Sequence, residues 1–292
     1  MMTVLFYLWV ILHAVTAAII SIVLLKPLKE MLRGAGAVKT NFRGVEVVNM
    51  LGLLIIVSWL FLMVIAVFAS LLASQFGIVV PDGFIIGPEF AVMTSLLIIG
   101  AGFFGLIDDA FGNRESSGFK GHIGALVKGK LTTGGLKAIG IPATAVVVSS
   151  LLSGGIVNIL GNAILISLFV NALNLLDLRP GRALKAYIPL QLLILFVGGS
   201  SLGTISAAMI GVALVLIAAD LREEIMLGDT GSNILGAMIG FCAAAAFDWN
   251  VKLPLIVVLV LLQLLTEKYS ISAIVERVGF LRALDNIGRR VE

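Results

Sequence analysis

The sequence predicts an all-α, polytopic integral membrane bundle of about nine transmembrane helices. Of its 292 residues, 60% are hydrophobic and only 13% are charged, and the mean hydropathy is +1.13. A soluble domain has roughly 45–50% apolar and about 25% charged residues. The composition therefore excludes a soluble globular protein and leaves no room for a separate soluble domain.

Nine apolar stretches follow one another with short connections, several of them close to the roughly 20 residues that one crossing needs. They cover residues 3–25, 47–73, 91–107, 136–153, 156–173, 187–200, 203–219, 233–247 and 253–266. Glycine pairs at 154–155 and 198–199 predict tight turns between antiparallel helices. No basic segment precedes the first stretch, so we expect a first span rather than a cleaved signal.

Basic residues predict the orientation of these spans, because Lys and Arg are retained on the cytoplasmic side. In a nine-span arrangement, 19 of the 20 Lys and Arg residues fall on one side, and Lys252 is the exception. This places the N-terminus outside and the C-terminus in the cytoplasm. We expect one transmembrane catalytic domain, 1–266, and a cytoplasmic, interfacial amphipathic tail, 267–292. The net charge of +3 then reflects retained loops and does not imply nucleic-acid binding.

Two adjacent carboxylates, Asp108 and Asp109, close the third apolar stretch. They oppose the negative end of the helix dipole, so a cation should compensate them. A solvated helix end paired with Arg114 is the alternative.

The fifth stretch ends in Asn171, Asn174 and Asp177, and Arg179 and Arg182 follow. The two amides are three residues apart and share a helix face. They indicate a polar site or, alternatively, hydrogen bonds between helices. The arginines suit a phosphate, although retention on the cytoplasmic side explains them equally well.

Gly228-Asp229-Thr230-Gly231-Ser232 opens the eighth stretch. A glycine-rich turn at a helix N-terminus offers free backbone N–H groups to an anion, while Asp229 can face a metal. A simple helix cap by Asp229 or Ser232 is the alternative.

Together, these segments predict one site at the membrane face. Asp108, Asp109, Asp177 and Asp229 lie at the same depth, and we expect them to share one cleft. Mg²⁺ prefers carboxylates together with substrate phosphates, with Mn²⁺ as an alternative. Basic side chains beside such a site suit a diphosphate. The candidates are Lys120, Lys128, Lys130, Lys137, Arg179 and Arg182.

In this order, the three segments resemble the polyprenyl-phosphate N-acetylhexosamine-1-phosphate transferase superfamily. Asp108-Asp109 is similar to the family's Asp-Asp loop, Asn171 to Asp177 to its Asn-Ala-x-Asn-x-x-Asp stretch, and Gly228 to Ser232 to its Gly-Asp-x-Gly-Ser turn. The likeness covers roughly residues 26–247. The resemblance implies a multi-pass enzyme of the cell membrane that serves envelope synthesis, such as that of peptidoglycan, and it makes a homodimer plausible.

By this resemblance, the enzyme transfers a sugar 1-phosphate from a nucleotide-sugar, usually UDP-linked, to undecaprenyl phosphate or a similar lipid. Asp108 and Asp109 become the catalytic pair and Asp229 the metal ligand. The donor is contacted by Asn171, Asn174 and Asp177, while Lys120, Lys128, Lys130 and Lys137 neutralise phosphates.

The sequence departs from one branch of the family at three points. Asp177-Leu178-Arg179 replaces Asp-Gly-Leu-Asp-Gly, the last cytoplasmic loop lacks a histidine cluster, and a charged tail takes the place of a tenth span. These departures keep open a non-catalytic relative that binds polyprenyl phosphate or a nucleotide-sugar. A transporter is less favoured, because the charges lie at one face rather than at the membrane midplane.

Overall fold

The chain is largely α-helical in the computed structural model, which describes residues 2–80, 86–112 and 129–289. The helices are α1 Met2–Gly34, α2 Leu53–Gln75, α3 Pro88–Phe111, α4 Thr133–Leu152, α5 Ile156–Leu176, α6 Arg182–Val197, α7 Gly199–Leu221, α8 Gly228–Ala246, α9 Trp249–Lys268, α10 Ile271–Arg277 and α11 Gly279–Asn286. An all-α bundle is thus confirmed.

Seven of the described helices, α1 to α5, α7 and α9, are long and apolar enough to cross a membrane. The protein is therefore a multi-pass membrane protein. The other two long helices differ in length and polarity. Helix α6 has 16 residues, or about 24 Å at 1.5 Å per residue, and α8 begins with a polar first turn. Each predicted apolar stretch coincides with one of α1 to α9, while nine membrane crossings and their sidedness stay predictions.

One end of the bundle, called the polar end below, gathers helix ends that are distant in sequence. Lys29 near the end of α1 donates to Glu224 just after α7, at 3.0 Å. Lys137 in the first turns of α4 pairs with Asp108 at the end of α3, at 3.2 Å. The C-terminal ends of α1, α3 and α7 and the N-terminal end of α4 therefore meet here.

Helix α8 is the most enclosed of the long helices and packs on α5 through glycines. A Cβ atom at Gly236 would lie 2.5 Å from the Phe169 carbonyl oxygen, and one at Gly240 would lie 2.6 Å from Ile166 Cα. Only glycine allows this approach of the two backbones, as is common between membrane helices. The packing fixes the first turn of α8 against the end of α5.

A small β-hairpin lies in the connection between α1 and α2. Strand β1, Val38–Thr40, pairs antiparallel with β2, Glu46–Val48. The apolar stretch predicted to begin at 47 therefore becomes helical only at Leu53, because its first residues extend the hairpin. Met226 N–H donates to the Val48 carbonyl at 2.7 Å and so joins the hairpin to the segment before α8.

The tail forms two short helices, α10 and α11, separated at Val278. Phe280 is 71% and Ile287 61% exposed, whereas Ile271 is buried. Asp285 in α11 forms a bidentate ion pair with Arg182 in α6, at 2.7 and 2.8 Å. The tail is thus attached to the polar end of the bundle. Its division from the preceding domain at 266 stays a prediction.

Candidate active site

Lys137 stands between two carboxylates at the polar end of the bundle. Its ammonium group lies 3.2 Å from Asp108 Oδ2 and also donates to Asp229 Oδ2. These three side chains are 18–29% exposed, so they are enclosed but accessible. One positive charge facing two negative charges leaves an excess of negative charge.

The amide of Asn174, in the last turn of α5, completes this group. Oriented by its neighbours, its oxygen accepts from Lys137 Nζ at 3.0 Å and its nitrogen donates to Asp229 Oδ1 at 3.0 Å. We call Asp108, Lys137, Asn174 and Asp229 the acid–lysine cluster. Its members come from α3, α4, α5 and α8, and they include two of the four carboxylates that were predicted to share one cleft, Asp108 and Asp229.

Close backbone packing positions Asp229 in this cluster. A Cβ atom at Gly105 in α3 would lie 2.5 Å from the Asp229 carbonyl oxygen and 2.7 Å from Thr230 Cα. Gly228 adopts a φ of 74°, which favours glycine and starts α8 directly beside Asp109. The Gly-Asp-Thr-Gly-Ser turn is therefore a packing element as well as a source of polar groups.

Asp109 lies in a different environment from its neighbour Asp108. Its side chain is 1% exposed. Asp109 Oδ1 accepts from Lys39 and Asn49, both at 3.0 Å, and Oδ2 accepts from the Thr230 N–H and hydroxyl at 2.9 and 2.8 Å. With four donors on its two oxygens, Asp109 joins α3, the hairpin region and α8.

Asp177 follows α5 and lies on the other side of the α8 N-terminus. It lines a small pocket together with Phe42, Arg179 and Asp220. Burial raises the pKa of Asp177 well above its ordinary value, and the negative charges of Asp220, Asp229 and Asp109 act in the same direction. The four predicted carboxylates thus lie near one another, but Asp177 belongs to a neighbouring pocket.

A cavity of about 740 Å³ extends from the acid–lysine cluster between α4 and α5. Asp108, Lys137 and Asn174 line its polar end, and the apolar wall continues to Leu160. From Asn174 to Leu160 the wall follows about 21 Å of helix at 1.5 Å per residue. Leu160 and Ile164 are 47% and 50% exposed, so the apolar part reaches the outer surface of the bundle.

The carboxylates suit Mg²⁺ only in combination with a phosphate-bearing substrate. Among the described residues, no group of three or more His, Cys, Asp or Glu side chains could hold a metal. Mg²⁺ commonly uses one or two carboxylates plus substrate phosphates, and Asp108 and Asp229 supply two. The excess negative charge around Lys137 fits such a partial site.

The remaining predicted basic residues are dispersed. Arg179 lies over the Phe42 ring at 4.4 Å and pairs with Glu276 at 3.6 Å. Arg182 is 7% exposed and is engaged by Asp285 in the tail, so its buried guanidinium has a structural partner in place of the predicted substrate phosphate. Lys130 is exposed. Lys120, Lys128 and Arg114 lie outside the described residues.

Several residues at this site escape sequence reasoning. Lys39 and Asn49 come from the hairpin region, and no sequence pattern relates them to Asp109. Gln263 in α9 accepts from Asn171, and both line the cavity. Asn233 also lines it, and its signal was available: it follows Asp229 by four residues and therefore shares its helix face.

No protein-family model matches the chain, and no curated protein matches it. The three motifs and their arrangement at the polar end are therefore the basis for assigning a function.

Proposed function

We propose that this protein transfers a sugar 1-phosphate from a nucleotide-sugar to a polyprenyl phosphate at the cytoplasmic face of the cell membrane. The observation that carries the proposal is the cavity, in which the acid–lysine cluster adjoins an apolar groove about 21 Å long. Such a cavity suits a ligand with a phosphate head and a long hydrocarbon chain. The groove would admit the chain sideways from the bilayer.

In the proposed reaction, a phosphate oxygen of the lipid attacks the β-phosphorus of the nucleotide-sugar. A new P–O bond forms, the bond from the β-phosphorus to the bridging oxygen breaks, and the nucleoside monophosphate leaves with that oxygen. Asp108 is the accessible member of the carboxylate pair, so it would orient the lipid phosphate or accept its proton. Asp109 would hold the N-terminus of α8 in position.

Lys137 would neutralise the negative charge of the diphosphate, since its ammonium group faces the cavity. Asp229 and Asp108 would hold Mg²⁺, which, when bound, offsets the charge that builds up on the diphosphate oxygens. Asn174 would keep Lys137 and Asp229 at a fixed separation through its two hydrogen bonds.

The donor is proposed to be a UDP-N-acetylhexosamine and the acceptor undecaprenyl phosphate or a similar lipid, with the product entering an envelope polymer such as peptidoglycan. Asp177 lines a small pocket beside the cluster together with Phe42 and Arg179, and the nucleotide is proposed to extend into it. A homodimer remains an implication of the resemblance.

A non-catalytic binder of the same ligands is the second candidate. It is favoured by Lys137 itself, because its ammonium already compensates part of the charge on Asp108 and Asp229. A protein of this kind would bind polyprenyl phosphate or nucleotide-sugar without releasing a nucleotide.

The test is to incubate the purified full-length protein with Mg²⁺, undecaprenyl phosphate and a panel of nucleotide-sugars, and to follow nucleoside monophosphate release. We expect release with one donor, dependent on the lipid and abolished by EDTA. The Lys137→Met variant should lose most of this release. If no donor in the panel gives nucleoside monophosphate release although the folded protein binds the lipid, the result would instead support the non-catalytic binder.

A further inference from the structure

Asn233 is a buried amide in the wall of the cavity that has no partner within the described part of the chain. Its side chain is 0% exposed, and neither Nδ2 nor Oδ1 makes a hydrogen bond there. Buried polar groups in proteins are almost always hydrogen-bonded, and one left without a partner opposes folding. A leucine, which has the same branching and the same number of side-chain heavy atoms, would avoid that penalty at this position.

Other polar side chains in the same cavity wall already have partners. Asn171 donates to Gln263, Asn174 is held by Lys137 and Asp229, and the Ser167 hydroxyl donates to the Ala163 carbonyl at 2.8 Å. Asn233 differs from these residues in presenting both a donor and an acceptor without a partner among the described residues. This difference points to a ligand as its partner.

The position of Asn233 limits what that ligand can be. It lies four residues after Asp229 in α8, about 6 Å further along the helix at 1.5 Å per residue. It also precedes Gly236 and Gly240, the glycines that pack on α5. Asn233 therefore stands where the acid–lysine cluster gives way to the apolar groove.

We propose that Asn233 binds the phosphate monoester head group of the lipid on its inner side, next to the first carbons of the chain. Its Nδ2 would donate to an unprotonated phosphate oxygen, and its Oδ1 would accept from the protonated oxygen of the monoanion, which is roughly a tenth of a phosphate monoester at pH 7 because the second pKa is about 6. The inference rests on the proposed function for the identity of the lipid and adds a residue that sets the depth of its head group.

The experiment compares binding of undecaprenyl phosphate and of undecaprenol, the same lipid without phosphate, to the full-length protein by native mass spectrometry. Asn233→Leu should weaken undecaprenyl phosphate binding about tenfold or more, the loss that corresponds to about 1.4 kcal/mol. Binding of undecaprenol should stay within about twofold of wild type, a difference of well under 1 kcal/mol.

Thermal unfolding supplies a second readout that a purely structural residue would not give. With no ligand present, Asn233→Leu should raise the thermal midpoint by about 2–4 °C, because it removes an amide without a partner. Asn233→Ala tests the same loss of phosphate-dependent binding without a need to fit a larger side chain. Ser70→Ala in α2 is the matched control, since the Ser70 hydroxyl likewise donates to a backbone carbonyl of its own helix, that of Ala66 at 2.8 Å, and it should leave binding within about twofold of wild type.

Each failure has its own meaning. If wild type binds undecaprenyl phosphate and both Asn233 variants bind it equally well, the inference is wrong and the proposed function stands. A lower midpoint in Asn233→Leu, with binding retained, would make Asn233 a structural residue. If wild type does not discriminate undecaprenyl phosphate from undecaprenol, the proposed function fails and the inference with it.

Discussion

The polar end of the bundle carries two charged clusters that differ in what they leave accessible. In the acid–lysine cluster, Lys137 is shared by Asp108 and Asp229, and all three are 18–29% exposed beside a cavity. In the tail clamp, defined as Arg182, Lys185, Asp285 and Arg289, the central pair of Arg182 and Asp285 is only 7% and 8% exposed.

The partners explain this difference. Arg182 makes two hydrogen bonds to Asp285, Arg289 adds a third at 2.9 Å, and Lys185 donates to the Asp285 carbonyl at 2.6 Å. Groups of the tail thus occupy the positions around Arg182 and Lys185 that a ligand could otherwise take. The presence of a charged residue in a sequence motif does not reveal whether its side chain binds a ligand or stabilises the fold. That depends on which segment of the chain covers the side chain.

The largest effect is expected for Asp229→Asn in the acid–lysine cluster. The change removes a charge from the proposed cation site while keeping the side-chain volume, and nucleoside monophosphate release should fall about 10³-fold, or about 4 kcal/mol of barrier. The thermal midpoint serves as the control and should move little. Release within tenfold of wild type would remove Asp229 from the mechanism.

Arg182→Met should act on stability instead. Removing one partner of this buried ion pair takes the bidentate hydrogen bonds from Asp285 and leaves Arg289 as its remaining ion-pair partner, at a cost of up to about 3 kcal/mol in the free energy of unfolding. Equilibrium unfolding in mixed detergent measures this, and limited proteolysis should show faster cleavage of the tail.

The double variant Arg182→Met with Asp285→Leu separates the two clusters further. It should recover part of the lost stability, because the buried carboxylate that lost its bidentate partner is then removed as well. If Arg182→Met instead raised the KM for the nucleotide-sugar at unchanged stability, Arg182 would be a substrate-binding residue as the sequence predicts.

Gly105→Ala should affect both the fold and the site, to a smaller degree. The added methyl group would press against the Asp229 carbonyl and Thr230, which costs about 1–2 kcal/mol in stability and shifts the first turn of α8. We expect about a tenfold loss in nucleotide release from the displaced carboxylate, a change of about 1.4 kcal/mol. Ala substitution at Gly87, where an added Cβ atom has no neighbour within 4 Å, is the control.

The smallest effect is a pH dependence of the tail clamp. Burial alone would raise the pKa of Asp285, but the hydrogen bond and charge of Arg182, with help from Arg289, lower it below its ordinary value of 3.8. The clamp should therefore make its full contribution to the free energy of unfolding above about pH 4. This contribution should decrease as the pH falls through the lowered pKa of Asp285.

Comparing thermal midpoints of wild type and Asp285→Asn between pH 7 and pH 3 tests this dependence. The gap between them should stay constant down to about pH 4, close to the ordinary Asp pKa, and then narrow. A gap that narrowed between pH 7 and pH 5 would contradict the assignment.

Sequence patterns predicted the helices well, because apolar runs in membrane helices are long and their ends carry polar residues. The turns at Gly155 and Gly199 lie where the glycine pairs placed them, with φ values of 82° and 76°. The hairpin at Val38–Val48 was missed, since three-residue strands leave no periodic signal and the pairing extends to Ile225.

The site was predicted only in part for a similar reason. Motif spacing placed Asp108 and Asp229 at one depth, and the structure joins them through Lys137. The sequence could not show that Asp109 faces inward to four donors, because those donors come from two remote segments. Local spacing reports the helix face of a residue, whereas its partner depends on how the helices pack.

The enclosure of Asp109 also bears on how the chain is made. Thr230, which supplies two of its four hydrogen bonds, lies 121 residues further along the chain. A ribosome inserting the helices in order delivers α3 to the membrane long before α8, with a carboxylate still short of donors. The candidate site is thus assembled late in biosynthesis, and a nascent chain interrupted before Gly228 reaches the bilayer without it.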